Sequence, residues 1–492
     1  MIDTEALRKK VIDLAIQGKL TEQLPEDGSA EDLYVQIQEE KEKLIKEGKL
    51  KKQKPLPEIE EDEIPFEIPK NWKWVRLGKI TYIERGGSPR PIKNYLTDSE
   101  NGINWIKIGD VEKGGKYICS TKERIIPEGE KKSRHVYPGD FLLTNSMSFG
   151  RPYISKIEGC IHDGWLLVRD IKGINSDFLY FLLSSSYMYK QFCKKAAGAA
   201  VDNLNIDRVN SAMMPFPTIS EQKRIVELIE STFKQIDIID ELQNKYNNDV
   251  EVLKSKVIDA ATRGELTEQL PEDGNAEDLY NQIQEEKEKL IKEGKIKKQK
   301  PLPEIEGNEI PFEIPKNWRW VRVEALGENV NNAFADGPFG SNLKKEHYSL
   351  EHQVRIIQLS NVGADGWKNE NEKYTTYEHL KSIKRSEVEV GNIVIAKMMP
   401  AGRAIIVPNV HDSFVLSSDC VKIVPHRFIN SKYLLYAINS EMFRKQVYKN
   451  VSGVGRVRTS LSKIKNYLLP LPSFNEQQRI ANKLDMLIEY MK

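Results

Sequence analysis

Downstream of Pro217 the apolar residues fall at Ile225, Ile229, Ile236, Ile239, Leu242, Tyr246, Val250, Leu253, Val257 and Ala260. Most steps are three or four, the spacing of a coiled-coil seam. The opposite face is charged, no proline interrupts before Pro271, and Gly264 is a natural stop. The pattern predicts a helix of about 45 residues, about 67 Å long at 1.5 Å per residue. An ordinary core helix would be shorter and less charged. The stripe Leu7, Val11, Leu14 predicts a helix at the N-terminus, and Ser29-Ala30-Glu31-Asp32 the capped start of another. Strand-like runs occupy 103–108, 140–144 and 392–396, with helices near 178–194 and 433–448.

The chain also repeats itself. Residues 10–76 recur at 256–322 with ten differences, so that Leu20-Thr21-Glu22-Gln23-Leu24-Pro25 returns as Leu266-Thr267-Glu268-Gln269-Leu270-Pro271. A more diverged repeat matches Pro215-Phe216-Pro217 and Glu221-Gln222 with Pro470-Leu471-Pro472 and Glu476-Gln477. Asn175-Ser176 pairs with Asn430-Ser431, Gly150-Arg151 with Gly402-Arg403, and Gly198 with Gly453. Between these matches the halves diverge, as two copies of one scaffold with different surfaces would. By these offsets the C-terminal helix supplies the first half of a second long helix and the N-terminal helix its second half.

The expected architecture is therefore mixed α/β (α+β). Two pseudo-twofold-related α/β domains, each with one strongly curved mixed sheet, are separated by two long antiparallel helical, coiled-coil regions. The expected segments are a helical region at 1–52, a first domain at 53–217 with a proline-rich lead-in, and a central long-plus-short helical region at 218–298. A second domain follows at 299–472 and a C-terminal helix at 473–492. Proline fixes φ and removes donors, so the lead-ins should lie extended and brace each domain at Trp72-Lys73-Trp74 and its repeat. The tryptophans read better as packing anchors than as base-stacking platforms.

Net charge is +1, but its distribution is uneven. Residues 77–217 hold 20 basic against 15 acidic residues, and 323–472 hold 20 against 14. Two basic bodies joined by acidic helical parts carry the electrostatic footprint of nucleic-acid binding. The four cysteines are scattered without a Cys-x-x-Cys spacing, so buried thiols and no metal site are expected. His162-Asp163 and His411-Asp412 look like ligand dyads but occupy non-equivalent positions without companions. No apolar run reaches the length of a membrane span, and the charged start lacks a signal-peptide core; a cytoplasmic protein with no membrane contact is expected.

Glycine-rich loops are the first DNA-contact candidates. Small residues let backbone amides approach phosphates, while polar tips reach base edges. The first body offers Arg85, Gly86, Gly87, Ser88 and Arg90; the second offers Gly337, Gly340, Ser341, Asn342 and Lys344. Either loop could be a plain turn. Arg151, Arg403, Lys195, Arg456 and Arg458, beside matched glycines, suit phosphate contact, though each could be a solvated surface charge. Lys107, Asn145, Gln358 and Lys397 complete the candidate set. The seam residues Leu7, Val11, Ile225, Ile229, Ile236, Leu242, Leu253 and Val257 are candidates for partner binding. No phosphate-binding loop and no Asn/Asp-Pro-Pro-Tyr/Phe methyltransferase motif occurs, so no catalytic residue and no cofactor is expected.

Three duplicated motifs together carry a resemblance: Pro-x-Pro-x-x-x-Glu-Gln at each long-helix start, Gly-Lys/Glu-Leu-x-x-Gln-x-Pro-x-Asp, and Pro-x-x-Trp-x-Trp at each domain. In this order over essentially the whole chain, they resemble the specificity subunit of Type I restriction–modification systems. The resemblance implies a non-catalytic subunit, alone a monomer or part of a heteromeric complex, whose two domains read the halves of an asymmetric bipartite DNA target. Its helices would set the unread gap and dock two adenine-methylating subunits, and a translocating endonuclease subunit would join for restriction. Two other classes remain open at this point. A stand-alone tandem-domain DNA-binding regulator would bind specifically without partners. An RNA-binding or scaffold protein would show no methylation-linked duplex specificity.

Overall fold

The computed structural model describes residues 1–112, 114–145, 149–170, 173–194, 204–298, 300–449 and 458–491. The chain forms two compact units, Met1–Asn244 and Lys245–Lys492. The division falls inside one 45-residue helix, Ile219–Arg263, which ends where Gly264 adopts φ +77°. No described helix is long and apolar enough to cross a membrane.

In the first unit the helix Thr4–Ala15 runs antiparallel along the long helix. Thr4 Oγ1 donates to Asp240 Oδ1 at 2.6 Å, and Arg8 Nη2 donates to Asp237 Oδ1 at 2.6 Å. The helix Ala30–Lys46 starts as expected, with the Ser29 hydroxyl accepting from the Glu31 amide. The proline-rich stretch is held by Arg76, whose guanidinium donates to the carbonyls of Pro57 and Glu58 and pairs with Glu63 at 2.7 Å. Arg322 repeats this with Pro303, Glu304 and Glu309. Carbonyls in a stretch that lacks a strand partner thus find donors in one buried arginine.

Every duplicated motif meets at one buried junction per unit. Glu221, fully buried, accepts from Trp72 Nε1 at 2.6 Å, Thr21 Oγ1 at 3.0 Å and Gln23 Nε2 at 2.6 Å. Glu476 accepts from Trp318 Nε1 at 2.8 Å, Thr267 Oγ1 at 3.0 Å and Gln269 Nε2 at 2.8 Å. The next residue locks the domain's helical layer: Gln222 Oε1 accepts from the Asn175 amide, and Gln477 Oε1 from the Asn430 amide. Trp72 and Trp318 are anchors, with their polar edges satisfied and their rings buried.

Each domain holds two principal sheets where one curved sheet is expected. The first has five strands each, in orders Leu96–Thr97, Glu123–Ile125, Ile103–Ile106, Gly159–Ile161, Arg134–Val136 and Thr81–Arg85, Trp165–Asp170, Phe141–Thr144, Pro152–Ser155, Tyr117–Ile118. The second domain has two four-stranded sheets, a small hairpin, and the two-stranded pair Arg319–Arg322 with Leu468–Leu471. The reason is a core on both faces. Leu142, Tyr153, Trp165 and Leu167 of one sheet meet Ile106, Val136 and Ile161 of the other. Phe141, Leu143, Leu166 and Val168 pack oppositely, against the helices. The helices expected near 178–194 and 433–448 are each broken in two, Ser176–Ser184 with Ser186–Lys194 and Ser431–Asn439 with Glu441–Lys449. At the break Ser185 is extended; its hydroxyl donates to Leu182 O and accepts from the Met188 amide, closing one helix and capping the next.

Candidate nucleic-acid interface

Both glycine loops leave a strand end and cross a neighbouring turn between strands at a distance only glycine permits. Gly86 donates its amide to Trp165 O, and a Cβ there would lie 2.1 Å from His162 O. Gly337 donates to Cys420 O, and its Cβ would lie 1.7 Å from Ser417 O. These are equivalent positions in two diverged domains.

Around the first loop Asp163 gathers the expected residues. Its carboxylate accepts from Ser88 Oγ at 2.8 Å and from Arg90 Nη2 at 3.4 Å, while its carbonyl accepts from Arg85 Nε and Asn145 Nδ2. Arg85 and Arg90 are exposed, while Gly86 is buried and Gly87 and Ser88 are half-buried. In the second loop Phe339, Gly340, Ser341, Asn342 and Lys344 are all exposed, whereas Gly337 is buried. Asp336 at its base receives Lys397 Nζ at 2.7 Å.

Asn145 and Lys397 are corrected by this geometry. They sit at equivalent positions, 2 % and 4 % exposed, and their polar groups are taken by Asp163 O and Asp336. They position the loops and do not reach a ligand at the surface. Lys107 and Gln358 head matching turns, and both end groups are also engaged, Lys107 with Glu123 at 2.6 Å and Gln358 with Asn371 O at 2.9 Å. Arg151 is exposed and lines a cleft of about 650 Å³ with Tyr153, Tyr180 and Lys190. Arg403 is half-buried and Arg458 exposed; Lys195 and Arg456 lie outside the described residues.

Sequence reasoning missed Asp163, set aside as part of a chance dyad, and Phe339, 68 % exposed at a loop tip. An aromatic residue inside a run of glycine, serine and asparagine was the available signal for Phe339. Beside Asp163, the His162 ring lies against two backbone amides, Gly164 at Nδ1 (2.6 Å) and Ile108 at Nε2 (3.2 Å), and the neutral ring accepts from the one that faces its bare nitrogen. Burial pushes its pKa below the ordinary value, since loss of solvent disfavours the charged ring, and Lys107 adds to this against the opposing pull of Asp163.

The helical seam is not one continuous docking face. Ile225, Ile229, Ile236 and Val11 are buried in the first unit's own core, with Leu7 packed against it, and Val257 packs on the second unit's core. The domain helices occupy these positions. Leu242 and Leu253, at 60 % and 47 % exposure, remain at the surface.

Residues 69–248 and 354–491 match the Type I restriction modification DNA specificity domain. The chain is 27 % identical to the Type I restriction enzyme EcoAI specificity subunit of Escherichia coli, covering 98 % of this chain and 88 % of that one. It is 25 % identical to the EcoEI specificity subunit of the same organism over 97 % and 88 %. A solved chain from work on complex assembly and conformational transition of the type I R-M system aligns with TM-score 0.54 at 16 % identity, over 87 % of this chain and 92 % of that one. The likeness in fold, the duplicated scaffold and a family match over more than half of the sequence agree: the chain belongs to the Type I restriction modification DNA specificity family, as a non-catalytic, sequence-specific DNA-recognition subunit that works within a Type I restriction–modification complex.

Proposed function

We propose that each domain reads one half of an asymmetric bipartite duplex target through its glycine loop, that the long helix sets the unread gap, and that the helical parts dock two adenine-methylating subunits. A translocating endonuclease subunit joins this assembly for restriction. One observation carries the reading: the buried junctions of the two units match residue for residue, while the loops mounted at equivalent strand ends differ in every exposed side chain. A shared scaffold with two different tips suits two different half-sites. Phosphate contacts from Arg85, Arg90, Arg151, Lys344, Arg403 and Arg458 supply affinity and salt dependence, and the loop tips supply base choice.

The test maps methylated adenines in cells carrying the intact chain or variants. Exchanging the exposed tip 339–344 for another sequence should change one half-site and leave the other. Inserting four residues near Asn244–Asn248 lengthens the helix by about 6 Å and rotates it by about 40°; the half-sites should persist while the gap lengthens, or joint binding is lost. A changed half-site with an unchanged gap after the insertion refutes the ruler, and an unchanged site after the exchange refutes the loop as reader.

A further inference from the structure

One cluster in the first domain is untouched by the DNA-reading argument. The strands Arg134–Val136 and Gly159–Ile161 pair antiparallel with His135 directly opposite Cys160. Glu130 closes a one-turn helix just before them, and one ligand atom from each of Glu130, His135 and Cys160 lies within 4.8 Å of the others. No spacing rule exposes such a group, because cross-strand pairing, and not a short motif, brings the residues together.

The hydrogen bonding of His135 is unusual. Its Nε2 lies 2.8 Å from Glu158 Oε1, and its Nδ1 lies 2.6 Å from Glu130 Oε1. A neutral imidazole carries one N–H, so with that proton aimed at Glu158 the Nδ1 lone pair faces a carboxylate oxygen. A cation must sit between them, either a second proton or a metal ion. A carboxylate on the far nitrogen is also how metal-bound histidines are oriented. The buried sulfur of Cys160 beside this pair distinguishes the two, since it adds nothing to a proton but is a strong ligand for a soft divalent ion.

We propose that Glu130, His135 Nδ1 and Cys160 form a binding site for a zinc-like divalent transition-metal ion, with Glu158 as the orienting carboxylate and water as fourth ligand. On binding, the Cys160 thiol gives its proton to solvent and the sulfur–metal bond forms. Ligand atoms on a tetrahedral ion stand about 3.3–3.8 Å apart for bonds of about 2.0–2.3 Å. Glu130, 40 % exposed at its helix end, has room for the sub-ångström swing this needs. The ion binds the thiolate and releases the thiol proton, so binding weakens as pH falls. The site would brace the floor of the first reading loop, where the Gly87 amide and the Ser133 hydroxyl both donate to Ile161 O. The second domain has Val415 opposite Glu387 at these positions, so this thiolate site has no counterpart there.

The chelator-stripped full chain is titrated with Co²⁺ and followed by near-ultraviolet absorption. A thiolate-to-cobalt charge-transfer band should saturate at one equivalent and vanish in Cys160→Ser. Glu158→Gln and Glu130→Gln, whose side chains are exposed enough to leave folding intact, should each lower affinity about 10–100-fold. No such band, a band surviving in Cys160→Ser, or unchanged affinity in both glutamine variants overturns the site.

Discussion

Glu221 and Glu476 do the same job in the two units, down to which tryptophan, threonine and glutamine they accept from, whereas the loops above them are steadied by unlike means. The first is held by Asp163, outside the loop, reaching to Ser88 and Arg90; the second by Lys397 reaching to Asp336 at the loop's own base. Asn145 and Lys397 occupy the same place and support the loop from below with opposite partners, a carbonyl in one case and a carboxylate in the other. The difference teaches where this scaffold tolerates change. The junction must bring a buried tryptophan donor, a threonine and a glutamine onto one buried carboxylate, while a loop base needs only some polar pair of suitable length.

The largest effect should come from breaking the shared part. Glu221→Ala strands the Trp72, Thr21 and Gln23 donors and should cost about 3–5 kcal/mol, felt in the first unit alone. Glu476→Ala should do the same to the second. Urea unfolding followed by hydrogen exchange resolves the units; equal losses in both units from either substitution would mean the junctions are not independent.

Next come the glycines. Gly86→Ala and Gly337→Ala each press a methyl into a backbone oxygen, 2.1 and 1.7 Å from the new Cβ. Backbone cannot swing away as a side chain can, so each should destabilise its domain by about 1–3 kcal/mol. Half-site selectivity should be lost only on the side of the substituted loop. Thermal melting together with binding to duplexes altered in one half measures both.

A smaller effect is expected from the matched arginines. Arg151→Ala and Arg403→Ala should weaken binding by a similar factor on cognate and scrambled duplexes, and lower the salt slope by about 1 each. An unchanged slope, or a switched sequence preference, counts against phosphate contact. Because Arg403 is half-buried and Arg151 exposed, Arg151→Ala should show the cleaner electrostatic effect.

The long helix was legible because about ten turns of seam spacing leave little ambiguity, and the junction residues because the chain prints them twice. The split of each sheet was not, since a strand buried on both faces shows no alternation to betray which core each side meets. The break at Ser185 was hidden in a run whose helical period continues across it. Lys397 misled for a general reason: a lysine among apolar residues reads as a surface charge until Asp336, 61 positions earlier, is seen to bury with it.

The two reading-loop floors also differ in acid sensitivity, for His162 in the first domain has at its equivalent position Ser417, which does not titrate. Folding holds His162 neutral and below its ordinary value near 6.5, so its contribution is complete above about pH 6.5 and declines as pH falls from there toward the folded-state value. The bare nitrogen of the neutral ring accepts from the Ile108 or the Gly164 amide, and protonation removes that acceptor and loosens the ring's hold on this turn. Amide exchange at Ile108 and Gly164, corrected for intrinsic rates, should therefore quicken between pH 7.5 and pH 5.5. His162→Gln keeps an acceptor and removes the titration, so its exchange at these amides should be flatter across the same window. Equal quickening in the variant would place the acid sensitivity elsewhere, and no quickening in either would show that the ring stays neutral throughout.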